Sequence, residues 1–211
     1  HQRRLRPHAP GQVDPLGGRL LSVFRFITHP DVRIEPDVRV PDWSLSERGR
    51  KRMEQALALP WMADLRAVWS SQERKAVEGA EILSRGLRIP HHTMAELGEN
   101  DRSTTGFLPK AEFEATADAF FARPEESVRG WERAVDAQTR IVQAMTRILT
   151  PRPDGDIAIV AHGAVGALLL CYLKRCPISR SEDQPPGNGG YYFSFDVDAS
   201  RLLHGWQPID G

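Results

Sequence analysis

The apolar positions of this chain fall into short unbroken runs and into longer stretches where they recur at helical spacing, and the two patterns take turns along the sequence. RLLSVFRFI, residues 19–27, is rich in β-branched and aromatic residues and predicts a buried strand ending near Thr28. LRAVWS (65–70), DIAIVA (156–161) and YYFSFDV (191–197) predict further strands, and LRIPHHTMAEL (87–97) holds room for a short one. DIAIVA is the clearest, bounded by Asp154-Gly155 before and His162-Gly163 after. After the first strand, THPDVRIEPDVRVPDW is too broken by proline for a helix. Ser44 with Glu47 then resembles a capping box, opening a helix to about Leu59. Helices are also expected over 72–86, ending at Gly86, over 111–122, over 127–149, and over the largely apolar 164–174. In the 127–149 segment, Trp131, Val135, Val142, Met145 and Leu149 supply the apolar stripe. Strands separated by helices predict an α/β fold: a three-layer sandwich whose mostly parallel central sheet carries helices on both faces.

Composition narrows the partners. The 211 residues fit one domain over 19–211, preceded by a loose Pro/Gly-rich arm over 1–18. Lys+Arg and Asp+Glu both number 28, so no global field points to nucleic acid or to an anionic membrane. Arg3, Arg4, Arg6 and Arg19 gather in or beside the arm, and a solvated tail accounts for them better than a nucleic-acid contact. Affinity for an anion must therefore come from a local pocket. Cys171 and Cys176 are too few for a disulfide framework and are expected as reduced, unreactive thiols. The longest apolar stretch, 164–173, falls short of the ~20 residues that span a bilayer, and the arm holds no apolar run of signal-peptide type. A cytoplasmic protein is the expectation.

Chemistry should gather where open α/β sheets bind ligands, beyond the carboxyl ends of the strands. His29 follows the first strand, and His162 follows DIAIVA. LRAVWS delivers Ser70 and Ser71, then Arg74 and Lys75 on the first turn of the next helix. Imidazoles, cations and a helix N-terminus at one edge suit a phosphate. Each piece also has a plain structural explanation: a strand-end histidine is commonly a hydrogen-bonded loop residue, and Arg74 and Lys75 alone would be a solvated face. A metal site built from His91, His92, His29 and His162 lacks any His-x-x-x-His or Cys-x-x-Cys spacing, so no metal and no other cofactor is expected.

The ordered set of segments resembles the histidine phosphatase superfamily, which includes the phosphoglycerate mutases. VFRFITHP stands where that family has a first-strand Arg-His-Gly, and SQERKAVEGAEIL where it has Ser-x-x-x-Arg-Ala-x-x-Thr-Ala. LGEND stands for its Leu-x-Glu, IAIVAHGAVGALLL for its strand-end His-Gly, and LSERGRKRMEQA for its Leu-Thr-x-x-Gly-x-x-Gln-Ala helix. The similarity spans about residues 20–172, in the family's order. It departs in the phosphate pocket. Thr28 replaces an Arg, Pro30 a Gly, Lys75 the second Arg, and Gly79 the Thr. Lys keeps the charge but loses the planar fork of Arg. Arg33, Arg74 and Arg102 are candidates to refill the space.

The resemblance implies a phosphoglycerate mutase-like fold with His29 as nucleophile, His162 as a second histidine on the phosphoryl group, Lys75 as a remaining cation and Glu99 as proton donor to the leaving group. The implied activity is phosphomonoester hydrolysis through a phosphohistidine on His29, on a small phosphorylated molecule or a phosphoprotein. The same pocket would take free phosphate or sulfate. The alternatives are a phosphomutase, or a domain that binds a phosphorylated ligand or partner without catalysis, which the changes at Thr28 and Pro30 motivate. Segments 31–43, 100–127 and 180–190 are expected around the pocket mouth. Trp43, Trp61 and Trp131 are candidates for a contact surface, with the oligomeric state left open.

Overall fold

The computed structural model describes residues 22–211; the arm expected over 1–18, and residues 19–21 of the first expected strand, lie outside the described residues. Six strands form a mixed sheet in the order β3-β2-β4-β1-β5-β6. The strands are β1 (Val23–Thr28), β2 (Leu65–Ser70), β3 (His91–Thr93), β4 (Asp156–Ala161), β5 (Tyr191–Asp196) and β6 (Arg201–Pro208). β3, β2, β4 and β1 run parallel, while β5 pairs antiparallel with both β1 and β6. Five α-helices cover the sheet: α1 (Glu47–Ala56), α2 (Arg74–Leu87), α3 (Lys110–Ala122), α4 (Ala134–Ile148) and α5 (Gly163–Lys174). Among the described residues no helix is long and apolar enough to cross a membrane.

Pleat alternation sorts the side chains into two cores. From β4, Ile157, Ile159 and Ala161 pack with α3, α4 and α5, while Ala158 and Val160 pack with α1 and α2. Buried on both faces, β4 shows no side to solvent, so after Asp156 it reads as an unbroken apolar run, IAIVA. On β1, Phe24 and Phe26 enter the first core and Ile27 the second. Phe24 and Phe26 stack on Phe195 and Phe193 of β5, with ring centroids 5.3 Å apart in each pair. Burial of each such ring contributes roughly 1.5–3 kcal/mol, enough to fix the register of β1 at the centre of the sheet.

Several expected boundaries move. Ser46, not Ser44, caps α1: its side chain accepts the Gly49 N–H at 3.0 Å, and the helix ends at Ala56. Gly49 sits so close to the loop after β1 that a Cβ there would lie 2.1 Å from the Asp31 carbonyl oxygen. The helix expected from Ser127 begins only at Ala134, because Arg129 and Gly130 take left-handed φ values of 52° and 78° and break the turn. Its buried face is correspondingly different: Ala134, Ala137, Ile141, Ala144, Met145 and Ile148. Trp43 and Trp131 are buried rather than surface residues, and Trp61 is half-buried against Tyr192. β6 has no counterpart among the expected strands; it is a half-exposed edge interrupted by a bulge, without a clean alternation. Both cysteines are free thiols.

Candidate active site

The two central parallel strands, β1 and β4, end side by side, and each is followed by a histidine. The His29 N–H donates to the Ala161 carbonyl at 3.1 Å, which continues the ladder one step past β1. Both imidazoles therefore emerge at one sheet edge, with ring centroids 5.2 Å apart. His29 Nδ1 lies 3.0 Å from the Pro30 carbonyl oxygen. A carbonyl only accepts, so Nδ1 carries the proton and Nε2 keeps its lone pair. Burial, together with His162 and the Lys75 ammonium, pushes the His29 pKa down to about 3. The ring is neutral at ordinary pH. The loop before β5 closes over its backbone: Gly189 has φ +70°, and a Cβ there would sit 2.3 Å from the His29 carbonyl oxygen.

His162 is 1% exposed. Its Nε2 is 2.7 Å from the Ser71 hydroxyl, which also accepts the Glu73 N–H at 3.2 Å. Burial lowers its pKa, with Glu73 and Glu99 opposing. Nδ1 has no hydrogen-bond partner; Glu73 Oε2 faces it at 3.8 Å, too far for a hydrogen bond.

Lys75 leaves the first turn of α2 toward the interior and is 4% exposed. Its ammonium donates to the Val40 carbonyl at 2.8 Å and pairs with Glu73 Oε2 at 2.8 Å. Burial works against a charge on Glu73, but His162 and Lys75 outweigh it and hold the carboxyl down to about 2.

Glu99 reaches the start of α5. Its carboxylate accepts the N–H groups of Ala164 at 3.1 Å and Val165 at 3.0 Å, which have no partner within their own helix, and that of Asn100 at 3.1 Å. Its loop is gripped from α4 by Arg140, which donates to the carbonyls of Glu96 and Gly98 at 2.8 Å each and of Glu99 at 3.3 Å. Arg102 stands beside it, 3.5 Å from Glu99 Oε2, with its guanidinium over the Phe113 and Trp131 rings.

The remaining candidates lie elsewhere. Thr28 is 1% exposed and turned into the β1–β5 junction, donating to Gln184 Oε1 at 2.6 Å and accepting the Tyr191 N–H at 3.1 Å. Arg33 and Arg74 are exposed and paired with Glu35 and Glu78. His91 bonds Ser70 and His92 packs against Trp69 with the rings tilted by 39°, at β3. Among the described residues no three His, Cys, Asp or Glu side chains are grouped so as to hold a metal ion. Sequence reasoning missed Glu73 and Arg140. The only signal for Glu73 was its place two residues before Lys75; Arg140 carried none.

Comparison with known proteins places the chain in a family and a fold. The histidine phosphatase superfamily (branch 1) model matches residues 36–200, beginning just after His29. No curated protein matches the chain in sequence. Bacillus stearothermophilus YhfR superposes with a TM-score of 0.72 at 23% identity, over 87% of this chain and 95% of that one. A mycobacterial glucosyl-3-phosphoglycerate phosphatase, solved with inorganic phosphate, gives 0.74 at 19% identity, over 90% and 99%. The alpha-ribazole phosphatase of Shigella flexneri gives 0.65 at 16%, over 90% and 96%. At these identities the neighbours speak for the fold, which is phosphoglycerate mutase-like, while the model match covers most of the sequence: the chain belongs to the histidine phosphatase superfamily, branch 1.

Proposed function

We propose that the protein hydrolyses phosphomonoesters through a phosphohistidine on His29. The observation that carries this is the state of His29: Nδ1 is engaged by the Pro30 carbonyl, Nε2 is unprotonated, and the half-buried ring, beside His162 and the Lys75 ammonium, stays neutral. In the first step Nε2 attacks phosphorus and the ester P–O bond breaks, with Glu99 passing a proton to the leaving oxygen. In the second, water attacks phosphorus while the Glu99 carboxylate takes its proton and so returns to the acid form, the P–N bond breaks and inorganic phosphate leaves. Charge on the equatorial oxygens is met by Lys75 and by His162, with Arg102 behind Glu99. Family membership and two phosphatases among the structural neighbours support this reading. The substrate class is a small phosphorylated molecule or a phosphoprotein side chain.

The placement of Thr28, Arg33 and Arg74 favours a second reading, a pocket that binds a phosphorylated ligand without turnover: Thr28 is turned away, and Arg33 and Arg74 are exposed and paired elsewhere rather than standing in for the missing arginine. Quenching a reaction on labelled substrate separates the two. Label on the His29 peptide, labile in acid and stable in alkali, is the expected result, and His29→Ala removes both label and turnover. Hydrolysis is expected to survive EDTA, because the cations invoked are side chains. Label on Ser70 or Ser71, or near wild-type hydrolysis by His29→Ala, defeats the proposal.

A further inference from the structure

Glu73 occupies the N-cap position of α2 but makes no capping bond to its own helix. Its side chain turns inward instead and is 16% exposed. Oε2 lies 2.8 Å from Lys75 Nζ and 3.8 Å from His162 Nδ1, while Oε1 accepts the Glu99 N–H at 3.1 Å. His162 Nδ1 is a buried nitrogen with no partner of its own. An oxygen between it and the Lys75 ammonium would satisfy both. A phosphoryl group attacked at phosphorus by His29 needs those same two groups for one of its oxygens, and the Glu73 carboxylate stands beside them with a like charge.

We propose that Glu73 is a resident anion of the phosphate pocket, competing with the phosphoryl group for Lys75 and His162 and having to withdraw before it binds. This rests on the reading that the phosphoryl group sits between His29, His162 and Lys75. Its consequence is selectivity. A bare phosphate gains little by displacing Glu73, whereas a substrate with further contacts at the pocket mouth can offset the displacement from the rest of its structure. A merely structural Glu73–Lys75 pair makes the opposite forecast, since removing its carboxylate would loosen Lys75 and weaken phosphate binding.

Calorimetric titration of the full chain with inorganic phosphate tests this without turnover. Glu73→Gln keeps the shape and removes the charge, and is expected to bind phosphate at least about tenfold more tightly than wild type. Glu73→Asp, still charged, is expected to remain weak. Equal or weaker affinity in Glu73→Gln, or no binding by either protein, overturns the proposal. A measurement on the wild type covers the case in which the variant fails to fold. With glutamate carboxyl carbons labelled, the Glu73 resonance should shift as phosphate approaches saturation; a resonance that stays fixed at saturation also overturns it. Tight binding by Glu73→Gln with no hydrolysis by either protein leaves the resident anion standing and removes the hydrolase reading. Hydrolysis by both at equal phosphate affinity does the reverse.

Discussion

His29 and His162 meet edge to face, their ring planes inclined at 66°, yet neither ring is held by the other. His29 is fixed by the carbonyl of Pro30 and His162 by the hydroxyl of Ser71. Removing one therefore leaves the other in place. His162→Ala is expected to slow turnover by about two to three orders of magnitude, the usual loss when one preorganised donor to a developing charge is deleted. Label should still reach His29 in a quenched reaction, more slowly. Complete loss of labelling in a folded His162→Ala protein would make His162, not His29, the indispensable atom.

Glu99 holds the start of α5 as well as facing the site, so its two roles need separating. Glu99→Gln keeps an oxygen acceptor for the α5 N–H groups and should cost only about 1 kcal/mol in stability. As a proton donor it matters in proportion to the basicity of the leaving oxygen. Hydrolysis of an alkyl phosphate should fall far more than hydrolysis of an acidic aryl phosphate. Equal losses on both substrates would mean that Glu99 acts only by holding the helix.

Acid should destabilise the protein earlier than its carboxylates alone would dictate. His29 binds a proton only near pH 3 when folded, against an ordinary 6.5, so between those values the unfolded chain holds more protons and stability falls as pH drops. His162 shifts in the same direction, and Glu73 adds a further loss between its ordinary 4.5 and about 2. Thermal midpoints should decline steadily from pH 6.5 downward. The decline should be shallower in His29→Gln, whose side chain does not titrate. Matching slopes in the two proteins would show that His29 is not buried neutral.

The central sheet and its two histidines were legible in the sequence because burial on both faces leaves β4 no polar position after Asp156 and because both strand ends are punctuated sharply. The edge was not. β6 is half exposed and bulged, so its side chains follow no strict period. The late start of α4 was hidden because Trp131 lies in phase with the helix yet belongs to the turn before it, while the true buried stripe is largely alanine. Lys75 and Glu99 lie near the histidines, as its place after a strand end suggested for Lys75 and the family resemblance implied for Glu99, whereas the direction of the Thr28 side chain depends on Gln184 and Tyr191, more than 150 residues away. Glu73 escaped notice for a simple reason. An acidic residue at a helix start ordinarily serves the helix dipole from solvent, and only the fold shows this one turned inward.

The central place of β1 has a consequence for how the protein is made. Its two neighbours, β4 and β5, both come after β2 and β3 in the sequence. A ribosome that has completed β1, β2 and β3 holds a strand of phenylalanines with nothing to pair against, and His29 has no backbone partner until Ala161 arrives. Such long-range pairing folds slowly and leaves apolar strands uncovered in the meantime. The nascent domain thus stays inert until β4 and β5 emerge, and the interval before they do is when it most needs shielding from its neighbours.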